Sequence, residues 1–314
     1  SRANRTSPTS AMQVSRRRQN SFSLTPFLPP SAQTYRGCQQ SQSIFRAHAL
    51  SISGPLFLGV DDILRSIVEK KCGQTPASRR LVILLTTLGG YLEPVQRMVA
   101  TLRQHYRVVD FVVPNYAYSA GTVFALSGDE IYMDYYSRLG PIDPQVKSSK
   151  GKQLVSALGH VEKYNALIEK ANKGTITAAE VQLLIDGFDQ AELYNYEQQR
   201  ELSIAALEEW LVKYKFKNWK KTKTRGLKVT ARMKKERAST IGKQLNDTKK
   251  WHSHGYGISI DVLRRVLNLE IEDFGDNASM CSAIRAYHDL LSDYMAKRDT
   301  YGVIHIPGHY RQFM

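Results

Sequence analysis

Two spacings of apolar residues alternate along the middle of the chain. Leu81-Val-Ile-Leu-Leu-Thr-Thr87 is a short continuous apolar run bounded by Gly89-Gly90, which predicts a strand buried on both faces. Tyr91–Tyr106 follows, with apolar residues at Leu92, Val95, Met98, Val99 and Leu102; that is helical spacing. Arg107–Pro114 (RVVDFVVP) predicts a second buried strand, and Ser119–Leu126 a small-residue helix packed tightly on the sheet. Glu130–Asp134 (EIYMD) predicts a third strand, before the break at Gly140-Pro141. Strand, helix, strand, helix, strand at this rhythm predicts a βαβ layer with a largely parallel sheet.

Beyond Pro144 the pattern is helical. Leu154–Ala171, Ala178–Leu184 and a long stretch Ala191–Trp219 predict helices, and Thr177 with Glu180 forms a Thr-x-x-Glu capping box at the second. Ile260–Leu267 and Ser279–Met295 predict two more amphipathic helices. No internal repeat is visible. The expected organisation is a basic Ser/Arg-rich tail (1–47), an α/β core with a helical extension (48–210), a basic helical segment (211–250) and a helical C-terminal region (251–314).

With 42% hydrophobic residues the chain can bury a sizeable core. Its longest purely aliphatic run, Leu81–Leu85, is far short of the ~20 residues a membrane helix needs. Cys38, Cys72 and Cys281 are far apart and odd in number, which excludes a disulfide scaffold or a zinc ribbon and suits a reducing compartment; a cytoplasmic location is the expectation.

The formal charge of +15 is concentrated in two places. Residues 1–60 hold seven arginines and no acid, and residues 211–250 hold fifteen Lys/Arg against Glu236 and Asp247, which leaves the rest of the chain at −5. The body is thus mildly acidic. The tail has too few large aliphatics to repay its ordering and is expected to be disordered. Its Arg16-Arg17-Arg18 run fits an organelle leader, but with no apolar run following it a tail without a targeting role is preferred, and a secretory signal is excluded. In residues 213–237 Lys and Arg interleave with Tyr214, Phe216 and Trp219. That pattern can grip single-stranded nucleic acid, but a solvated basic helix, or a surface for acidic clients, is the favoured reading.

Two glycine-bearing junctions carry the candidate chemistry. Thr86-Thr-Leu-Gly-Gly-Tyr91 ends the first strand, and Tyr118-Ser-Ala-Gly-Thr122 lies where the second strand hands over to its helix. Paired glycines let a substrate approach the backbone closely. A serine at the second junction carries its hydroxyl at the sheet edge, and the amides of Gly90 and Ala120 can converge on one oxygen. That is an oxyanion hole beside a nucleophile, Ser119. Either junction alone is more often a tight turn or helix packing; the argument rests on having both.

These motifs, together with Ser137–Gln145 (SRLGPIDPQ), resemble the ClpP/crotonase-type serine proteases, and within them the serine dehydrogenase proteinase group, related to signal peptide peptidases. Lys250-Trp-His-Ser-His-Gly-Tyr-Gly-Ile258 is similar to that group's Trp-Thr-His-Asp-Tyr-Pro-Ile segment, so the likeness covers about 60–280 and is more specific in its first half. The resemblance implies a ClpP/crotonase-like fold, Ser119 as nucleophile, the Gly90 and Ala120 amides as oxyanion donors, and assembly into a homo-oligomer such as a ring.

The general base is left open by the residues. ClpP proper supplies a His some twenty-five residues after the serine, and the corresponding window, Asp143–Val146, has none. Signal-peptide-peptidase relatives use a lysine on a helix, which here points to Lys163; a lysine serves only when burial strips its charge, and pairing of Lys163 with Glu162 or Glu169 on a surface is the blander alternative. His254 matches the family-like segment and titrates in the useful range, with a structural or interface role as its alternative. His160 and Asp143 are outsiders. His252 and His254 form an HxH pair, but without a third ligand at recognisable spacing no metal site is expected, and no cofactor.

The leading expectation is an ATP-independent serine peptidase acting on peptide or unfolded-protein substrates through an acyl-enzyme on Ser119. Its alternatives are a ClpP-fold interaction protein that has lost its base, and a crotonase-like acyl-CoA enzyme.

Overall fold

The computed structural model describes residues 45, 47–74, 80–147, 154–307 and 309–314. The 1–47 tail therefore lies, apart from Phe45 and Ala47, outside the described residues. The chain enters a central sheet at β1 (His48–Ser53), which leads through α1 (Val60–Gln74) to β2 (Arg80–Thr86). Then come α2 (Leu92–His105), β3 (Val108–Val112), the two-residue β4 (Tyr116–Ala117), α3 (Ala120–Ala125), β5 (Ile131–Met133) and β6 (Arg138–Leu139). A small hairpin of β7 (Gln145–Lys147) and β8 (Leu154–Ser156) opens a helical arm of α4 (Ala157–Asn172), α5 (Ala178–Asp186) and α6 (Gln190–Trp210). After the arm, α7 (Ala231–Leu245), α8 (Thr248–Trp251), α9 (Ile260–Arg265), β9 (Glu272–Asp273), α10 (Ala278–Lys297), β10 (Val303–Ile306) and β11 (His309–Gln312) return the chain to the sheet.

The architecture is mixed α/β. Among the described residues the main sheet has seven strands in the order β11-β10-β1-β2-β3-β5-β9. Pairings from β1 to β9 are parallel, and those of β1 with β10 and β10 with β11 are antiparallel. The apolar run 81–85 is buried throughout, as a strand covered on both faces must be. One face of the sheet packs Val95, Met98, Val99 and Leu102 of α2 with Phe111 and Phe124, whose rings meet edge to face at 4.8 Å. The other face carries Val82, Leu84 and Val112 against Ile284, Tyr287 and Leu291 of α10. The capping box is formed: the Thr177 side chain accepts from the Glu180 amide, and the Glu180 side chain accepts from the Thr177 amide.

Four expectations need correction. The helix expected at 154–171 begins at Ala157, because residues 154–156 pair with β7 instead. The long helix expected to Trp219 ends at Trp210 and passes into a π turn, Leu211–Lys215, in which the Phe216 amide donates to the Leu211 carbonyl at 2.7 Å. Within the basic segment helix is confined to that π turn and to the stretch from Ala231; residues 220–229 fold back on themselves. Finally, the C-terminal region is not purely helical. Val303–Ile306 is four residues with a histidine inside it, too short and too mixed to read as a strand, yet all four are buried beside β1. His305 sits in that row, hydrogen-bonded to the Tyr287 hydroxyl at 2.6 Å, and burial pushes its imidazole down to about 4.

Because β10 is an interior strand of the sheet, Ile304→Ala should cost about 2–5 kcal/mol in urea unfolding followed by circular dichroism. An unchanged midpoint would mean that the C-terminal strands are dispensable to the core.

Candidate active site

The two glycine junctions are zipped side by side. The Thr87 amide donates to the Tyr116 carbonyl at 3.0 Å, and the Tyr118 amide returns a bond to the Thr87 carbonyl at 3.0 Å. This carries Ser119 against Gly89. The Gly89 backbone is at φ 105°, and a Cβ there would stand 2.8 Å from both Ser119 Cβ and the Tyr118 carbonyl oxygen. Gly90 is tighter still: its Cβ would meet the Leu56 carbonyl oxygen at 2.3 Å. Ser119 itself has φ 52° and ψ −123°, a conformation that a side-chain-bearing residue holds only when its surroundings impose it. It is the residue before α3, so the Ala120 amide has no partner within the helix. Among the described residues neither the Ala120 nor the Gly90 amide has a hydrogen-bond partner.

A second clasp fixes the segment that carries Asp143. The Thr122 side chain, fully buried, donates to the Ala117 carbonyl at 2.7 Å and accepts from the Gly140 amide at 2.9 Å. That holds the segment leading to Asp143 beside α3. Leu139 and Ile258 exchange backbone bonds at 3.0 and 2.8 Å, and the Ile142 amide donates to the Leu245 carbonyl at 3.1 Å. The residue-251–257 loop is thereby tied to the same segment. Trp251 anchors it further, buried and donating from Nε1 to the Gln244 carbonyl at 2.6 Å. α8 then ends at His252 in the left-handed region, φ 61°, which turns the chain into His254.

The outcome is a close polar pair. His254 Nδ1 lies 2.8 Å from Asp143 Oδ1, and the other carboxylate oxygen accepts from Gln145 Nε2 at 3.1 Å. The Asp143 side chain is 3% exposed and that of His254 21%. Burial alone would raise the Asp143 pKa, but the His254 hydrogen bond and its charge outweigh it and hold the carboxyl below its ordinary value. Asp143, His254, Ser119, Gly89 and Gly90 all line one cleft of about 840 Å³. In the neutral tautomer that donates from Nδ1 to Asp143, Nε2 is left as the ring's acceptor.

The structure therefore brings Ser119, Gly90 and His254 to one place and leaves Lys163 elsewhere. Lys163 is exposed on α4 and does not line the cleft. His160 is exposed, its ring 6.3 Å from that of Tyr196. His252 is exposed on the cleft wall; among the described residues no three His, Cys, Asp or Glu side chains group as a metal site. Sequence reasoning set Asp143 aside because the window after the serine was searched for a histidine. The signal was the acid itself, held between Pro141 and Pro144 in a segment that both clasps pin.

A family model described as ClpP-like SDH-type serine proteinase matches residues 34–189. Over that stretch the chain belongs to this family. Ser119, the two glycines and Asp143 fall inside the ClpP-like SDH-type region, whereas His254 is contributed from beyond it. Two uncharacterized proteins of Methanocaldococcus jannaschii are similar, one 30% identical over 128 residues (39% of this chain, 42% of that protein) and one 31% identical over 121 residues (38% and 39%). The match thus spans about two fifths of the length of these curated relatives. Among solved structures, two variants of a membrane-bound stomatin-specific protease, one in complex with a substrate peptide, align at 13% and 14% identity and TM-score 0.42. They cover 71% of this chain and 77% and 73% of theirs. The ClpP protease catalytic domain from Plasmodium falciparum aligns at 12% identity and TM-score 0.27, covering 32% of this chain and 57% of its own.

Since folding holds the Asp143 carboxyl below its ordinary pKa, its ionised form stabilises the fold above the unfolded value of about 3.9, and that contribution is lost as pH falls through the lowered folded value. Asp143→Asn should therefore lower the melting temperature relative to the parent at pH 7, and the gap should close towards pH 3. A gap that persists unchanged in acid would show that the carboxylate charge contributes nothing.

Proposed function

We propose that this protein is a serine peptidase in which Ser119, His254 and Asp143 act as a catalytic triad. The observation that carries the reading is the 2.8 Å His254–Asp143 contact on the wall of the cleft that Ser119 lines. Asp143 fixes the ring so that Nε2 is the acceptor, and Nε2 takes the Ser119 Oγ proton as Oγ attacks the peptide carbonyl. The carbonyl oxygen, now negative, accepts from the Gly90 and Ala120 amides, which have no other partner among the described residues. The protonated ring then delivers its proton to the leaving amine, and the C–N bond breaks to leave an ester on Ser119. Water, deprotonated by the same ring, attacks that ester and releases the acid, with the proton returned to Oγ.

Lys163 is set aside as base because it is exposed and outside the cleft, and an amine serves only when burial removes its charge. The rim supports a peptide with apolar side chains as substrate. Phe57, Leu88 and Tyr91 line the cleft while 41%, 69% and 57% exposed, and the Phe57 and Tyr91 rings lie 5.7 Å apart.

Labelling with a fluorophosphonate probe tests the assignment. Ser119→Ala should abolish it, and His254→Ala and Asp143→Asn should slow it by a factor on the order of 10³–10⁴, while Lys163→Ala labels like the parent. A Lys163→Ala protein that folds but no longer labels would transfer the base to that lysine. Absence of labelling in the folded parent would favour a binding role for the cleft.

A further inference from the structure

The basic stretch after the helical arm divides into two parts. Its first part is spent on the body of the protein. The Lys215 side chain is 3% exposed and pairs with Glu130 at 2.5 Å; Lys217 pairs with Asp129, which Arg103 also holds at 2.6 Å. Arg103 in turn covers the Tyr214 ring at 3.6 Å. Phe216 is buried, and Trp219 packs against it at 5.5 Å and against the core. The three aromatic residues that would stack nucleic-acid bases are therefore already engaged.

The second part is a stiff hairpin. Lys221 and Lys228 pair antiparallel, and the Val229 amide donates to the Lys220 carbonyl at 2.9 Å. The Thr222 amide donates to the Leu227 carbonyl at 2.9 Å, the Leu227 amide donates to Thr222 Oγ1 at 3.1 Å, and Gly226 turns the chain at φ 62°. From Lys220 to Val229 there are five cations and no acid. Lys223 reaches Glu270 at 2.8 Å; Lys220, Lys221, Arg225 and Lys228 are exposed and have no ion-pair partner among the described residues. At the turn, between Arg225 and Lys228, stands Leu227, 54% exposed.

We infer that the 220–229 hairpin docks the protein on an anionic lipid surface, with Leu227 entering the headgroup boundary and the four unpaired cations meeting lipid phosphates. Leu227 is set apart from the protein's other exposed apolar side chains by the unpaired cations on either side of it. Single-stranded nucleic acid held by base stacking would need the aromatics that the core has taken. Acid-free cations flanking an apolar tip match the charge and polarity profile of an anionic bilayer's edge. The attraction is electrostatic in the main, so it weakens as salt screens it. The hairpin does not line the cleft, and the inference stands whether or not Ser119 is a nucleophile.

Co-sedimentation of the full chain with vesicles tests it. The protein should pellet with phosphatidylcholine vesicles containing about 30% phosphatidylglycerol, and not with phosphatidylcholine alone. Raising salt from about 0.1 to about 0.5 M should reduce the bound fraction several-fold. The double variant Lys221→Glu/Lys228→Glu should lower apparent affinity about tenfold or more, with circular dichroism unchanged. Leu227→Ser, which keeps every charge, should lower it by a few-fold. Equal binding to neutral vesicles, or a double variant that binds like the parent, overturns the proposal; the second result would assign binding to the N-terminal arginines. Leu227→Ser binding vesicles like the parent, with polyuridylate captured as tightly as vesicles, overturns it in favour of nucleic acid.

Discussion

The candidate site depends on the contact between the Gly89 backbone and Ser119. Ser119 occupies a left-handed conformation that costs energy, and nothing in its own side chain explains why it stays there. Its neighbours do. Gly89 lies where a Cβ would strike Ser119, Gly121 lies where a Cβ would stand 2.3 Å from Thr87 Cγ2, and the Thr87 backbone is bonded on both sides of Ala117. Two strand ends without bulk are pressed together, and the turn between them has no other route. Among the described residues the Gly90 and Ala120 amides are left without hydrogen-bond partners.

The other part of the candidate site is assembled from farther away. Asp143 is buried at little net cost because both of its oxygens are occupied, one by His254 and one by Gln145. Asp143 is reached by a loop that Thr122 clasps, and His254 by a loop that Trp251 and Ile258 tether. Serine and acid come from the family-like stretch, and the histidine from sequence more than sixty residues past its end. The fold thus places the proposed nucleophile by local structure and the histidine–acid pair by tertiary packing, a division common where loops are carried on a rigid sheet.

Much of this was legible in the chain. β2, α2, β3, α3 and β5 were readable because both faces of the sheet are covered, so the strands are continuous apolar runs separated by helical spacing. The Gly89-Gly90 and Ser119 junctions were readable as candidates only as a pair, each lying between a buried strand and a helix about thirty residues from the other. Val303–Ile306 was not, since its burial comes from β1 and α10, neither of which leaves a mark on those four residues. Asp143 was set aside because nothing in the sequence near it shows that His254, 111 residues on, lies beside its carboxylate. The basic segment was read as one helix because charge density does not distinguish lysines that bridge to Asp129 and Glu130 from those that face water.

The π turn at Leu211–Lys215 has a consequence for how the arm is attached. An α turn closes four residues back and this one closes five, so it holds one residue more than the helix before it requires. Each residue advances a helix by about 100°, and the extra one aims Lys215 and Lys217 back at the ends of β3 and β5. The attachment of the arm therefore depends on the number of residues in that turn as well as on the lysines that follow it. A chain one residue shorter at that turn would keep every lysine and every acid, yet turn them away from each other.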